Sequence, residues 1–299
     1  MKVFVTGATG FVGSAVVSEL IEAGHDVLGL ARSEGAAEAL SVEGVEVHRG
    51  DLEDLGTLRR AASLSDAVIH AGFNHDFSKF VENCETDRQA ILALGDALSG
   101  SARPLIVTAG IPYAPGRVTT EDDTAPAGAG RSPRVSEQTA LGLVSRGVHA
   151  RVVRMPQVHD RHKHGLGSYL IQVAREKGIS AYIDEGTNRW PAVHRLDAAR
   201  AYVRALEHGV IGMSYQAVAE EGFPLREIAE SIGRGLSVPA VSLSPDAGAA
   251  HFGWLAFPAA MDAPASSTFT RERLGWAPTE RGTFIDDLSR SSAFTVDDT

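Results

Sequence analysis

The stretch TGATGFVG, residues 6–13, follows an apolar segment that begins at Val3 and places glycines at positions 7, 10 and 13. A buried strand, such a turn and an amphipathic helix together form a dinucleotide cradle. The first glycine allows the tight turn, the second lets the backbone approach a pyrophosphate, and the third permits close helix–strand packing. The helix then presents free N–H groups to the phosphates. We expect cofactor contacts at Gly7, Thr9, Gly10, Phe11 and Val12.

Apolar, β-rich segments alternate with helical ones through the first half of the chain. The predicted strands are Val3–Thr6, Asp26–Ala31, Val45–Arg49, Ala67–Ala71, Leu105–Ala109 and Ala150–Arg154. The predicted helices are Val12–Ala23, Glu34–Leu40, Leu55–Ala62 and one from about Asp87 to Leu98. Strands separated by helices at this spacing predict right-handed crossovers. The fold class is therefore α/β, with a doubly wound parallel sheet covered by helices on both faces.

This alternation breaks down after Met155. Residues 165–178, 194–209 and 224–238 have helical patterns, and residues 180–184 read as a strand. We therefore expect a nucleotide-binding domain over residues 1–155, with its sheet completed by later segments. A smaller, mostly helical substrate-binding lobe is expected over residues 156–299. Residues 111–134 form a loop rich in proline, glycine and acidic residues, and loops of this length often line sites.

Composition limits the classes of partner. The 299 residues carry a formal net charge of −10, which argues against a nucleic-acid partner. No apolar run reaches the ~18–20 residues that span a bilayer. Cys84 is the single cysteine, so neither a disulfide within the chain nor a thiol cluster for a metal is possible. With no targeting segment, we expect a cytoplasmic monomer or homodimer that acts on a small molecule.

The residues after the second and third strands bear on the choice of cofactor. An acidic residue after the second strand would accept hydrogen bonds from the adenosine ribose hydroxyls, but Arg32 and Ser33 stand there. Both side chains suit a 2′-phosphate, so the sequence predicts NADP rather than NAD. After the third strand, Asp51 and Leu52 are expected beside the adenine.

Several segments resemble the short-chain dehydrogenase/reductase superfamily, on its extended and atypical branch of NAD(P)-dependent epimerases and dehydratases. They are TGATGFVG, GDL, VIHAG, VVRMPQVHD, PAVHRLDAARA and LGWAP, which together extend over nearly the whole chain. The resemblance implies a Rossmann-type sheet with a small C-terminal substrate lobe. It also implies that Ala71, Gly72, Thr108 and Pro156 line the cofactor.

The catalytic pattern of these enzymes is incomplete here. Members that move a hydride usually carry Tyr-x-x-x-Lys on the helix after the fifth strand, with the tyrosine as acid or base. The corresponding segment, residues 132–147, contains neither tyrosine nor lysine. Thr108 stands at the position of the family's catalytic serine, and Asp87 is the counterpart of its helix asparagine.

Replacement proton donors must come from other segments. Tyr113 follows Thr108 by five residues, and His159, His162 and His164 follow the sixth strand, where the substrate is expected. We predict that Thr108 orients a carbonyl while Tyr113 or His159 supplies the proton. The clustered histidines lack a cysteine partner or an H-E-x-x-H helix, so no metal is predicted.

Three functions are compatible with these patterns. The first is an NADP-dependent reductase or dehydrogenase of a small carbonyl or alcohol with a non-standard proton donor. The second is an NAD(P)-dependent epimerase or dehydratase of a sugar nucleotide, although that chemistry also uses the missing Tyr–Lys pair. The third is an NADP-binding sensor or scaffold without catalysis.

Overall fold

The structure is a computed structural model that describes residues 1–124 and 133–295. Its strands are β1 (Lys2–Thr6), β2 (Asp26–Ala31), β3 (Glu46–Arg49), β4 (Ala67–His70), β5 (Pro104–Gly110), β6 (His149–Met155), β7 (Gln157–His159), β8 (Ser180–Ile183), β9 (Arg189–His194), β10 (Ser214–Gln216), β11 (Glu220–Pro224) and β12 (Ala240–Leu243). Residues 125–132, part of the predicted loop 111–134, lie outside the described residues.

The helices connect and cover these strands. They are α1 (Phe11–Glu22), α2 (Glu34–Val42), α3 (Leu55–Ser63), α4 (Phe80–Leu98), α5 (Ser136–Gly142), α6 (Gly167–Lys177), α7 (Arg195–His208), α8 (Leu225–Leu236), α9 (Pro245–Phe252), α10 (Ala256–Ala260), α11 (Thr268–Leu274) and α12 (Phe284–Ser289). Helix α4 begins seven residues before the predicted Asp87, because the 3-10 turn Phe77–Lys79 leads directly into it. None of the helices in the described ranges is long and apolar enough to cross a membrane.

The central sheet confirms the predicted fold class. Its strand order is β10-β6-β5-β4-β1-β2-β3, and every neighbouring pair is parallel. The order 3-2-1-4-5-6 within it is that of a Rossmann sheet. The direction of winding reverses between β1 and β4. Ligands of such sheets bind outside the carboxyl ends of the strands at this reversal, which places the candidate site there.

Each face of the sheet has its own apolar layer. Along β1 the side chains alternate, so that Val3 and Val5 pack with α1 and α7 while Phe4 packs with α3 and α4. A strand that is buried on both faces is apolar at successive positions, as this one is. Helices on both faces hold the strand ends rigid, and the turns beyond those ends can therefore position side chains accurately.

The segments after residue 155 contribute to both parts of the molecule. Strand β10 extends the central sheet, and α7 packs against α1. The rest forms a lobe with its own core, which includes Leu170, Trp190 and Phe284. Helices predominate in this lobe, as we predicted, and β11-β9-β7 and β12-β8 add two small sheets. Most of these strands have three to five residues, too short to give a clear two-residue period.

Candidate functional site

The glycine turn after β1 has the shape that a dinucleotide cradle requires. Gly7 has a φ of +69°, and a Cβ atom there would lie 2.7 Å from Cα of Gly72. A Cβ atom on Gly13 would lie 1.9 Å from the carbonyl oxygen of Gly7. Gly10 donates its N–H to that same oxygen at 2.8 Å. Side chains at these positions would fill the turn or force it apart, so the residues present fit a closely approaching pyrophosphate.

The N-terminal end of α1 favours an anion. Gly10 is the N-cap and supplies no side chain, so the first N–H groups of the helix have no side-chain partner. Two cations flank Phe11, the first residue of the helix. The Arg195 guanidinium lies 5.2 Å from the centroid of its ring, and Lys163 Nζ lies 5.7 Å from it. Their charges add to the positive end of the helix dipole.

The ends of β2 and β3 bring two arginines to one place. Ser33 caps α2, because its hydroxyl accepts from the N–H of Ala36 at 3.2 Å. Arg49, the last residue of β3, donates to the carbonyl of Ser33 at 3.0 Å and pairs with Glu34 at 2.5 Å. Arg32 is exposed beside them and makes no hydrogen bond or ion pair within the described part of the chain. The sequence did not single out Arg49, although this residue also stands at the end of a parallel strand.

The other predicted cofactor contacts surround the cradle. The Cδ2 atom of Leu52 would lie 3.3 Å from a Cβ atom on Gly72, which brings Leu52 and the end of β4 together. The Asp51 carboxylate accepts from the N–H groups of Glu53 at 2.8 Å and Asp54 at 3.1 Å, so it also holds its own turn. Pro156 joins β6 to β7 at the same edge of the sheet.

Thr108, near the end of β5, is bonded on two sides. Its hydroxyl donates to the His70 carbonyl at 2.8 Å and lies 2.6 Å from the hydroxyl of Tyr202. Tyr202 belongs to α7, and its side chain is fully buried. Burial raises the pKa of the Tyr202 phenol to about 12, so it stays protonated at neutral pH. No local sequence pattern predicts this contact, since 94 residues separate the two positions.

A buried polar chain runs beneath the cradle. Thr6 lies opposite His70 in the register of β1 and β4, and its hydroxyl is 2.9 Å from His70 Nδ1. His70 Nε2 is 3.2 Å from Asp87, whose other oxygen accepts from the Ser136 hydroxyl at 2.6 Å. Burial opposes ionisation of Asp87, but the His70 and Ser136 hydrogen bonds and the Arg134 charge keep its pKa below the usual range. Asp87 therefore links β4 to α5.

The start of α5, where the family's catalytic helix lies, makes structural bonds. Ser136 bonds to Asp87, and Glu137 accepts from Arg154 at 2.6 Å and from Ser214 at 2.6 Å. Arg154 is 1% exposed, and its guanidinium also reaches three backbone carbonyls at residues 120, 121 and 123. Glu137 and Arg154 therefore hold the sheet, α5 and the adjoining loop together.

The two remaining candidate donors lie in different surroundings. Tyr113, in the loop after β5, is 39% exposed, and its ring meets Phe257 edge-on at 6.5 Å. His159 is fully buried, and its Nδ1 lies 2.8 Å from the Asp287 carboxylate of α12. Tyr113 is thus partly open to solvent, whereas His159 lies inside the C-terminal lobe.

The clustered histidines do not converge. His162 Nδ1 lies 3.0 Å from the Ser292 hydroxyl, and His164 Nε2 lies 2.7 Å from that of Ser291. Over residues 1–124 and 133–295, no group of three or more metal-binding side chains could hold an ion. Each of these histidines fastens the C-terminal segment to the loop after β7.

Comparison with known proteins identifies the family. The profile of the NAD dependent epimerase/dehydratase family matches residues 3–99. An uncharacterized protein of Schizosaccharomyces pombe is 45% identical over 300 residues, which cover 98% of this chain and 100% of that protein. The chain belongs to the NAD-dependent epimerase/dehydratase family. The predicted resemblance is therefore confirmed, and the cradle is that of an NAD(P)-dependent enzyme of the extended short-chain dehydrogenase/reductase type.

Two similar proteins have named activities. The UDP-glucose 4-epimerase of Streptomyces lividans is 29% identical over 318 residues, which cover 93% of this chain and 91% of that enzyme. A dTDP-glucose 4,6-dehydratase of Streptomyces venezuelae, solved with NAD bound, superimposes with a TM-score of 0.76 at 18% identity. That superposition covers 98% of this chain and 96% of the dehydratase. It shows a shared fold.

Proposed function

We propose that the protein is an NADP-dependent reductase or dehydrogenase of a small carbonyl or alcohol. The observation that carries the proposal is the partly exposed Tyr113 in the loop after β5, together with the absence of tyrosine and lysine from α5. When bound, NADPH supplies the hydride. Reduction of a carbonyl then needs one proton donor at the oxygen.

Tyr113 is the proposed proton donor. Its hydroxyl gives its proton to the carbonyl oxygen as the hydride reaches the carbonyl carbon. The resulting phenolate recovers a proton from water, which its partial exposure allows. Thr108 has no hydrogen left to orient a carbonyl, and its bonds to the His70 carbonyl and Tyr202 instead hold the end of β5 in place. Since His159 is fully buried and paired with Asp287, we assign it to the stability of the C-terminal lobe.

NADP is the proposed form of the cofactor. Arg32 and Arg49 both lie beside Ser33, where the 2′-phosphate of a bound adenosine is expected. Two guanidinium groups and a hydroxyl can form charge-assisted hydrogen bonds with a phosphate. The negative charge of Glu34 would repel a 2′-phosphate, but Glu34 already pairs with Arg49.

A second candidate is epimerisation or dehydration of a sugar nucleotide, as in the named relatives. The relation to the Streptomyces lividans enzyme over 93% of this chain favours it. Against it stand the two structural bonds that occupy the start of α5, since both chemistries of the relatives need an acid–base group near the sugar.

A substrate screen with reduced cofactor tests the proposal. We expect NADPH consumption with some small ketone or aldehyde, and a loss of about 10²–10⁴-fold in kcat for Tyr113→Phe with unchanged NADPH affinity. Tyr182→Phe, a matched change in β8, should leave kcat unaltered. Unchanged activity of Tyr113→Phe would refute the donor. Conversion of a UDP- or dTDP-sugar without net NADPH consumption would favour the second candidate, and NADPH binding without any turnover would favour a sensor.

A further inference from the structure

Aromatic side chains form a continuous wall from the cradle to the C-terminal lobe. The members of this aromatic wall are Phe73, Phe77, Phe80, Tyr169 and Trp254. Phe73 directly follows Gly72, the residue that closes on Gly7. Its ring centroid lies 6.3 Å from that of Phe80, which lies 5.8 Å from that of Phe77. The wall therefore begins at the end of β4, where the cofactor is expected.

The C-terminal lobe supplies the other end of the wall. The ring of Phe77 stacks on Trp254 at 4.4 Å with an interplanar angle of 17°, and meets Tyr169 edge-on at 5.5 Å. Trp254 remains 49% exposed despite this stacking. Two lobes that needed only a packed interface would bury such a ring. A half-exposed indole at the end of such a wall instead offers its apolar surface to a ligand.

A single guanidinium is held at the cofactor end of this wall. The Cζ atom of Arg134 lies 4.2 Å from the centroid of Phe73, and its Nε donates to the Ser136 hydroxyl at 3.1 Å. Ser136 is itself fixed by its bond to Asp87. The positive charge of Arg134 partly offsets the burial that raises the pKa of Tyr202, whose hydroxyl contacts Thr108. Arg134 is therefore fixed between Phe73, which follows β4, and the start of α5.

These surroundings favour one class of ligand. A sugar nucleotide carries a diphosphate, which needs several cations, but the described cations Lys163 and Arg195 lie at Phe11 beside the cradle. The aromatic wall offers ring faces and edges, which attract other aromatic rings. Arg134 offers a positive charge to one oxygen. We propose that the substrate is a small aromatic carbonyl compound, with its ring on the aromatic wall and its oxygen directed at Arg134.

This assignment rests on the proposed reductase function and gives Arg134 a part in it. As the hydride bonds to the carbonyl carbon, the π electrons of the C=O bond move to oxygen, which then takes the proton of Tyr113. The charge that develops on oxygen in this step is stabilised by the guanidinium. Thr108 is less suited to that task, because its one hydrogen already bonds to the His70 carbonyl.

Binding of unreactive carboxylates tests the site without turnover. Benzoate, cyclohexanecarboxylate and acetate present the same oxygen atoms on an aromatic ring, a saturated ring and a methyl group. Calorimetric titration into the NADP⁺-loaded protein should give a dissociation constant for benzoate at least about tenfold below those of the other two. Equal binding of benzoate and cyclohexanecarboxylate would show an apolar rather than an aromatic site and overturn the proposal.

Substitutions of Trp254 and Arg134 test the aromatic wall and the guanidinium separately. Trp254→Leu keeps an apolar side chain and should remove the preference for benzoate. Arg134→Gln should weaken all three carboxylates by about tenfold or more, as expected for the loss of a charge-assisted hydrogen bond. The matched controls are Leu64→Ala, an exposed apolar residue before β4, and Arg117→Ala, an exposed arginine paired with Asp123. Both should bind benzoate like the wild type, and parallel losses in variants and controls would overturn the assignment.

Turnover distinguishes failure of this inference from failure of the proposed function. With NADPH, acetophenone should be reduced with a higher kcat/KM than cyclohexyl methyl ketone, and Arg134→Gln should lower kcat by about 10²–10³-fold. Reduction of both ketones at equal rates would reject the aromatic site and keep the reductase. Tight benzoate binding without reduction of any ketone would keep the site and reject the reductase.

Discussion

The hydroxyls of Thr108 and Tyr202 lie 2.6 Å apart, and the second hydrogen bond of Thr108 goes to the carbonyl of His70. A carbonyl oxygen can only accept, so Thr108 gives its single hydrogen to His70 and Tyr202 donates to Thr108. Helix α7, from the second half of the chain, is thereby bonded to the ends of β4 and β5. The carboxyl edge of the sheet depends on a residue outside the first 155.

Removing the Tyr202 hydroxyl tests this bond. Tyr202→Phe keeps the ring in the core and deletes one hydrogen bond, so we expect the free energy of unfolding to fall by about 1 kcal/mol. Urea denaturation followed by circular dichroism measures it. Tyr182→Phe, whose hydroxyl makes no hydrogen bond within residues 1–124 and 133–295, serves as the control and should change little. A Tyr202→Phe protein as stable as the wild type would contradict this account of the pair.

Cofactor preference depends on Arg32 and Arg49. We expect NADPH to bind more tightly than NADH, and each alanine substitution to weaken NADPH binding by about 1.5–3 kcal/mol while leaving NADH binding nearly unchanged. Fluorescence titration of both cofactors measures this. Arg281→Ala, an exposed arginine of the C-terminal lobe, is the control. Equal wild-type affinities for NADPH and NADH would refute the preference for NADP.

The glycine turn can be tested by adding side chains. Gly10→Val should abolish cofactor binding in a folded protein, because the side chain would occupy the place of the pyrophosphate. Gly13→Ala should lower the melting temperature as well, since its Cβ atom would lie 1.9 Å from the Gly7 carbonyl oxygen. Gly35→Ala in α2, where an added Cβ atom meets nothing within 4 Å, is the control. Undiminished cofactor binding by folded Gly10→Val, measured by calorimetry, would show that the glycine turn does not hold the pyrophosphate.

The sequence was most informative where local pattern and fold coincide. The predicted strand Asp26–Ala31 has the same bounds as β2, because apolar side chains on both faces of a parallel strand leave a continuous signal. The predicted cofactor contacts at Arg32 and Gly10 come from the same local pattern, since Arg32 directly follows β2 and Gly10 directly precedes α1. Contacts between distant segments left no such signal. The Thr108–Tyr202 bond and the stacking of Phe77 on Trp254 depend on how α7 and the C-terminal lobe return to the sheet.

The buried ion pair of Arg154 and Glu137 provides a test of stability. Glu137→Ala would leave the guanidinium buried without its carboxylate, and we expect a loss of about 3–5 kcal/mol in the free energy of unfolding. Glu85→Ala, which breaks the exposed pair with Arg88 on α4, should lower the free energy of unfolding far less, because solvent screens that pair. Urea denaturation compares them. Similar losses in the two variants would show that burial does not strengthen the Arg154 pair.

The acid sensitivity of the fold should depend in part on His164. Burial, together with the charge of His159, lowers the pKa of the His164 imidazole from 6.5 to about 4. Above pH 6.5 both the folded and unfolded states hold it neutral. As the pH falls from 6.5 to about 4, the unfolded state binds a proton that the folded state does not, so stability decreases by at most about 3 kcal/mol from this group.

Replacing His164 removes its contribution to the pH dependence of the free energy of unfolding. His164→Gln retains a side-chain N–H for Ser291, and its unfolding free energy should fall less steeply than that of the wild type between about pH 6.5 and 4. His162→Gln, at an exposed position two residues away, should retain more of the wild-type slope. The half-buried His194, whose pKa is lowered by burial, also contributes to acid sensitivity, so the difference between variant and wild type is the quantity to measure. Parallel pH profiles for His164→Gln and the wild type would show that His164 titrates alike in both states.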